Sequence, residues 1–289
     1  MTGGNVEMAE SGFERALVIG GGGVAGIAWA TGVLTGLARG GVDATAADLM
    51  IGTSAGSSVT AQISSGTPLG ELYRAQVEPA HQRQELLPAE GAVEAAFAAL
   101  QELASDTGDP VERRRRVGAL ALKAATVPES ARRAVIEARL PSHEWPAHRL
   151  EIVVVDAATG QSRVLDRSSG VPLVDAVAAS CSVPGVWPPV TIGGARYTDG
   201  GVRSMTNLDL AAGRAGRTLV VAPMPDPVLE ADADAIAGAG GRIQVIVPDE
   251  AARAAFGTDP LSPASRTPAG EAGLAQGLAA APATKELWG

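Results

Sequence analysis

The chain has 289 residues, enough to bury one large hydrophobic core, and its 46% hydrophobic content excludes a disordered protein. Its net charge of −9 argues against a nucleic-acid partner, because nucleic-acid-binding surfaces are usually basic. A single cysteine, Cys181, excludes an intrachain disulfide framework and predicts a cytoplasmic protein.

The first predicted elements alternate between strand and helix. Ala16–Ile19 is expected to form a buried strand, which a glycine-rich loop connects to a helix at about 26–38. A second strand at about 48–52 leads into a second helix that begins near Ser54. Such alternation predicts an α/β protein with a mostly parallel sheet.

The uncharged stretch at 16–38 is also long enough to cross a bilayer. The four consecutive glycines from Gly20 to Gly23 would weaken a membrane helix, and the residues that precede them are acidic rather than basic. We therefore interpret the stretch as a buried strand, a loop and a buried helix.

A helix-rich segment follows at about 67–140, and it lacks strong strand signals. We interpret it as a helical insertion or lid on the α/β core. Helices are expected at about 68–84, 90–105, 110–125 and 129–139. Residues 111–140 carry eight basic and three acidic side chains, which indicates either a solvated helix face or a surface for anionic lipid head groups.

The remaining predicted elements return to the α/β pattern. In chain order they are a strand at Leu150–Val155, a strand at Ser162–Leu165, a helix at about 172–181, a hairpin at 190–197 and strands at Thr218–Ala222 and Ile243–Val247. A small-residue helix or a disordered segment ends the chain at about 269–282, after a segment at about 257–270 that is expected to be flexible.

Three short motifs carry candidate chemistry. The first, Gly21–Gly26, follows a strand and opens a helix, where backbone amides and the helix N-terminus can bind an anion. It could hold a phosphate or the oxyanion of a tetrahedral intermediate. The same residues match the dinucleotide fingerprint G-x-G-x-x-G, but no acidic residue ends the second strand; Asp43 and Asp48 come too early.

The second motif is GTSAG at 52–56, which matches the nucleophile elbow G-x-S-x-G. Its strand-before, helix-after context favours Ser54 as a nucleophile held on a strained turn. Gly52 and Gly56 would flank the serine where a larger side chain would collide across that turn.

The third motif is Asp199-Gly200-Gly201, after a predicted hairpin strand. An aspartate before two glycines is by itself more typical of a turn. No histidine follows His148, so a Ser-His-Asp triad in the usual chain order of α/β-hydrolases is excluded. A carboxylate that takes the serine proton directly is the simplest alternative, although a carboxylate with a pKa of about 4 is a weak base.

In this order, the glycine-rich loop, GTSAG and DGG resemble the patatin-like phospholipases, which are lipid acyl hydrolases with a Ser-Asp dyad. The block Ala179–Gly185, which includes Pro184, is similar to the family as well. The resemblance implies a three-layer fold with a mostly parallel sheet between helices. It implies a single domain over 15–289. Residues 1–14, which precede that domain, are expected from the sequence to form a flexible leader.

The resemblance also implies residue roles. Ser54 would be the nucleophile and Asp199 the general base, in a reaction that needs no metal or cofactor. The oxyanion hole would be formed by the loop Gly20–Gly23, through the amides of Gly21, Gly22 and Gly23. Gly26, Pro184, Gly200 and Gly201 would support these motifs.

One residue departs from the family pattern. Ala25 stands where members often carry Arg or Lys, which would weaken a preference for anionic substrates or mark a bacterial-type subgroup. The expected function is a serine esterase or phospholipase, acting on lipid esters with peripheral membrane contact through the basic helices. A non-catalytic relative that binds acyl ligands or a partner, and an NAD(P)-dependent oxidoreductase, remain as alternatives.

Overall fold

The structure is a computed structural model that describes residues 12–104 and 108–289. The strands in this part of the chain are β1 Phe13–Ile19, β2 Leu49–Gly52, β3 Arg149–Asp156, β4 Ser162–Leu165, β5 Val190–Ile192, β6 Ala195–Asp199, β7 Ala215–Val221 and β8 Arg242–Ile246. They form one sheet with the order β5-β6-β3-β2-β1-β7-β8, and β4 pairs with β3.

The helices of the described residues flank this sheet. They are α1 Gly23–Arg39, α2 Ala55–Ile63, α3 Leu69–Val77, α4 Ala92–Ala104, α5 Pro110–Lys123, α6 Glu129–Arg139, α7 Leu173–Ser180, α8 Leu229–Gly238, α9 Glu250–Phe256 and α10 Arg266–Trp288. None of them combines the length and the apolar character that crossing a membrane requires.

The centre of the sheet is parallel: β1 lies between β2 and β7, β2 also pairs with β3, and β7 with β8. The apolar runs of these strands are buried on both faces, as strands in a helix-covered parallel sheet must be. The predicted α/β class with a mostly parallel sheet is therefore confirmed.

One side of the sheet is antiparallel. Both β4 and β6 run antiparallel to β3, and β5 forms a hairpin with β6. The hairpin turns at Gly193 and Gly194, whose φ angles of 59° and 85° suit a tight two-residue turn. Because β6 is antiparallel to β3, its last residue, Asp199, lies next to Val154 within β3.

The last helix, α10, packs closely along α1. A Cβ atom on Gly273 or Gly277 would overlap the backbone of α1, and a Cβ on Gly32 or Gly36 would overlap the backbone of α10. Glycine on both helices thus allows the two backbones to touch. The small-residue segment predicted as helix or disorder is a helix with a buried face.

Three predicted boundaries differ from the structure. The helix expected at 68–84 ends at Val77, because Pro79 disfavours helical geometry in the residue before it, and Glu78 is extended. Residues 266–270 of the expected flexible segment form the start of α10, where Pro268 is tolerated in the first turn. Of the expected leader, Phe13 and Glu14 belong to β1, and residues 1–11 lie outside the described part of the chain.

Candidate active site

Ser54 lies on a sharp turn between β2 and α2. Its φ of 52° and ψ of −119° are unusual for a residue with a side chain. Such strain persists only where the surrounding structure enforces it. The geometry agrees with the elbow predicted from GTSAG.

The two glycines of the motif leave no room for a side chain. A Cβ atom on Gly52 would lie 2.5 Å from the hydroxyl of Thr60 and 2.7 Å from the Cα atom of Ser57. A Cβ atom on Gly56 would overlap the carbonyl oxygen of Ile19, in the neighbouring strand. The elbow therefore depends on glycine at both positions.

Hydrogen bonds from other elements hold the backbone of Ser54. Its amide donates to the hydroxyl of Ser180 (2.9 Å), which in turn donates to the carbonyl of Val153 on β3 (2.7 Å). Its carbonyl accepts from the hydroxyl of Ser57 (2.6 Å) and the thiol of Cys181 (3.1 Å). The turn is thereby fixed to both β3 and α7.

Strand β3 brings Asp199 to this turn. Gly52 on β2 lies opposite Ile152 of β3, and Asp199 on β6 lies opposite Val154 on the other side of β3. The carboxyl ends of β2 and β6 therefore lie close together on either side of β3. The side chains of Ser54 and Asp199 line the same cavity.

The carboxyl group of Asp199 is almost completely buried, with 5% of the residue exposed. Burial raises its pKa to about 7, while the Ser54 hydroxyl and the Gly201 amide act in the opposite direction. Oδ1 accepts a hydrogen bond from the Gly201 amide (2.8 Å). No hydrogen bond of standard geometry reaches the buried Oδ2 from the described residues, which leaves it available to a proton.

The glycine-rich loop supplies fewer free amides than the sequence suggests. The amide of Gly20 donates to the carbonyl of Val221 (3.0 Å), and that of Gly21 to the carbonyl of Met205 (2.8 Å). Of the three amides predicted to form an oxyanion hole, that of Gly21 is therefore already engaged within the protein. Among the described residues no acceptor is found for the amides of Gly22 and Gly23, and both glycines line the cavity with Ser54.

The cavity above Ser54 has a volume of about 270 Å³. Its walls come mainly from apolar side chains of the helical insertion and of the loops after β6 and β7, with two arginines at α5. These wall residues include Phe97, Leu100, Arg113, Arg114, Val117, Met205, Met224 and Leu261. Helices α4 and α5 of the insertion thus form one side of the site.

The motif-supporting residues lie around this cavity. Pro184 and Gly201 line it. A Cβ atom on Gly26 would lie 3.2 Å from the Pro223 side chain, and one on Gly200 would overlap the backbone of β3. These glycines therefore allow close packing of the loops that carry the site.

The structure favours neither a histidine base at this cavity nor a dinucleotide site at the glycine-rich loop. Of the described residues that line the cavity, none is a histidine. Asp48, one candidate for a dinucleotide ribose contact, accepts the amides of Glu14 and Arg15 at the amino end of β1. That edge of the sheet is opposite to the glycine-rich loop.

Two residues to which the sequence analysis gave no role hold the site together. Ser180 bridges Ser54 and β3, as described above. Asn207, fully buried and left-handed (φ 52°), donates to the hydroxyl of Thr53 (3.0 Å) and to the carbonyl of Ser204 (2.7 Å). Asn207 has no local sequence signal, because its partner Thr53 lies far away in the chain.

Comparisons with known proteins identify a matching family model and a similar fold. A family model described as patatin-like phospholipase matches residues 17–212, more than half of the chain. The crystal structure of VipD from Legionella pneumophila is similar in fold, with a TM-score of 0.50 and 13% sequence identity over 94% of this chain and 67% of VipD. No curated protein matches the chain in sequence.

Proposed function

The chain belongs to the patatin-like phospholipase family, and we propose that it is a serine lipid acyl hydrolase with Ser54 as nucleophile and Asp199 as general base. The observation that carries this proposal is the buried Asp199 carboxyl group beside the Ser54 hydroxyl, with a pKa of about 7. A base with a pKa near the working pH combines a useful deprotonated fraction with a strong affinity for the proton.

In the first half of the reaction, the Asp199 carboxylate accepts the proton of the Ser54 hydroxyl as Oγ attacks the ester carbonyl. The amides of Gly22 and Gly23 stabilise the resulting oxyanion. The intermediate then expels the alcohol, which takes the proton back from Asp199. The acyl group remains on Ser54 as an ester.

In the second half, Asp199 accepts a proton from a water molecule, whose oxygen attacks the acyl ester. The same two amides stabilise the second oxyanion. When this intermediate collapses, Ser54 Oγ leaves and receives the proton from Asp199. The carboxylic acid is released, and the enzyme returns to its starting state.

The walls of the cavity favour a lipid ester as substrate. Its apolar side chains, such as Phe97 and Leu100 of α4, suit an acyl chain. The cationic groups of Arg113 and Arg114 on α5 lie at the same cavity and suit an anionic head group.

Peripheral membrane contact is proposed for the basic run Arg113–Arg116 of α5, at the side of the cavity. Basic clusters attract the negative surface of anionic bilayers. Replacing the four arginines by glutamine should reduce co-sedimentation with anionic vesicles and leave co-sedimentation with neutral vesicles unchanged. Equal sedimentation of both proteins with anionic vesicles would contradict this contact.

A fluorophosphonate probe tests the proposed nucleophile. Wild type should be labelled covalently and Ser54→Ala should not, while Ser65→Ala, a matched serine change just after α2, should be labelled like wild type. A panel of esters with increasing acyl length then tests turnover, which Ser54→Ala and Asp199→Asn should abolish. Equal labelling of wild type and Ser54→Ala would refute the assignment.

A further inference from the structure

A buried group of charges lies beside the elbow, where Ser54 and Glu85 line one small cavity. At its centre is Glu85, whose side chain is 3% exposed. Arg139 donates to both carboxylate oxygens (2.8 and 2.9 Å), Arg266 to Oε1 (2.5 Å) and Arg132 to Oε2 (3.5 Å). We call these four residues the arginine cluster.

The charges of the arginine cluster do not balance. Three guanidinium groups with side chains only 7–8% exposed surround one carboxylate. The Nε atoms of Arg132, Arg139 and Arg266 are buried and have no hydrogen-bond partner among the described residues. Buried charges without partners are costly, so this excess of positive charge is a place where an anion would be stabilised.

The guanidinium group of Arg132 keeps its charge at neutral pH. Burial and the neighbouring Arg139 lower the pKa of Arg132, but only to about 10. Arg132 also stacks on the indole ring of Trp187, 4.1 Å from the ring centre, which fixes the plane of its donors. The cluster is thus a rigid set of cationic donors.

A cavity of about 510 Å³ leads to this cluster from the surface. Arg139 and Arg266 line its inner wall, together with Gln62, whose Oε1 is buried without a partner. The exposed residues Arg74 and Arg83 line its entrance. A concave site lined mainly by one sign of charge concentrates ions of the opposite sign.

We propose that the arginine cluster and this cavity bind a phosphate group, carried by a soluble phosphate compound or by a lipid head group. Arginine presents several N–H donors in a fixed plane that match the oxygens of phosphate. A doubly charged anion would also compensate the excess of two positive charges on the cluster.

The proposed site is connected to Ser54 in two ways, through a small cavity that Ser54, Arg132 and Arg139 line together and through hydrogen bonds. Arg139 donates to the hydroxyl of Ser58 (3.3 Å), which contacts the thiol of Cys181 (3.5 Å), and that thiol donates to the carbonyl of Ser54. Binding does not require hydrolysis, so it can be measured in Ser54→Ala as well as in wild type.

Calorimetric titration of the full chain with inorganic phosphate, at constant ionic strength set with sodium chloride, tests the proposal. Saturable binding is expected, and the double variant Arg74→Gln/Arg83→Gln should weaken it about fivefold through the loss of two entrance charges. Arg167→Gln, a change of an exposed arginine outside the cavity, should bind like wild type. Absence of binding to wild type at millimolar phosphate, or equal affinity of the double variant, would overturn the proposal.

Glu85→Gln separates an anion site from a purely structural cluster. Removing the carboxylate raises the positive charge, so phosphate should bind more tightly and raise the Tm of Glu85→Gln more than that of wild type. A rise in Tm that is equal in the two proteins, or absent from both, would count against the site. If Glu85→Gln does not fold, the phosphate affinity of the double variant Arg74→Gln/Arg83→Gln still tests the proposal.

Two further ligands identify the carrier of the phosphate group. Binding of glycerol 3-phosphate that the double variant weakens supports a soluble ligand. Sedimentation with phosphatidic acid vesicles that the double variant weakens supports a lipid head group. Failure of wild type to bind inorganic phosphate, glycerol 3-phosphate and these vesicles contradicts both.

Discussion

At the scale of single residues, the protonation of Asp199 should set the pH dependence of the reaction. Because burial raises the pKa of this carboxyl group to about 7, it is protonated and unable to accept the serine proton in mildly acidic solution. The kcat/KM for a soluble ester should therefore rise tenfold per pH unit below about 7 and level off above it. A profile that is flat between about pH 5 and 7 would contradict this role.

The same group should affect the stability of the fold. The folded pKa of Asp199 is raised above its unfolded value of about 4, so the folded state binds the proton more tightly. The free energy of unfolding should therefore fall as pH rises from about 4 to about 7, by up to roughly 4 kcal/mol, and stay level above.

Urea denaturation of wild type and Asp199→Asn across this pH range measures the effect, since groups common to both proteins cancel in the difference. The free energy of unfolding of Asp199→Asn should not show this fall with rising pH, so Asp199→Asn should be the more stable protein at alkaline pH. If the two proteins show the same pH dependence, Asp199 does not titrate in the folded state as described.

The burial and the pKa of Asp199 are properties that its sequence motif does not record. The order of the motifs identified the Ser54 and Asp199 pair that the structure brings to one cavity. The sequence assigned the carboxylate an ordinary pKa, because its burial depends on strands that are distant in the chain. The same limitation applies to Gly21, whose amide is engaged by Met205 through a contact that no local pattern records.

At the scale of the elements, the elbow should tolerate no side chain at Gly56. Gly56→Ala would push a methyl group into the carbonyl oxygen of Ile19 on β1. We expect it to destabilise the fold by at least about 3 kcal/mol, measured by denaturant titration. Gly70→Ala, at an exposed helical position with open space around it, should instead stabilise by up to about 1 kcal/mol.

A stable Gly56→Ala protein with normal fluorophosphonate labelling would show that the elbow can relax without losing its geometry. A loss of stability in Gly70→Ala comparable to that of Gly56→Ala would show that the effect is not specific to the elbow. Either result would contradict the packing argument at this turn.

The helical insertion divides into two parts that its composition did not separate. Leu72 of α3 and Ile136 of α6 belong to the main hydrophobic core. Helices α4 and α5 instead line the cavity above Ser54. The basic residues of 111–140 also occupy two different environments. Arg132 and Arg139 are buried around Glu85, whereas Arg115 pairs with Glu112 at the surface. Charge counting along the chain cannot distinguish these environments.

At the scale of the whole molecule, the part of the chain beyond the family match is needed for the fold. The match ends at residue 212, but β7 at Ala215–Val221 pairs with β1 inside the sheet. A chain that ends at residue 212 would expose one edge of β1 and the face of α1 that α10 covers. We expect it to lose cooperative thermal unfolding by circular dichroism and to be degraded rapidly by trypsin. A sharp unfolding transition of the shortened chain would contradict this expectation.

The backbone contact between α1 and α10 also has a consequence for synthesis on the ribosome. The glycine face of α1 is translated well before its partner α10. Until then a strongly apolar helix must stay covered by chaperones or by transient contacts within the nascent chain. Pauses in translation before α10 would lengthen that exposure, so yield in the cell should depend on the speed at which the ribosome reads through to α10.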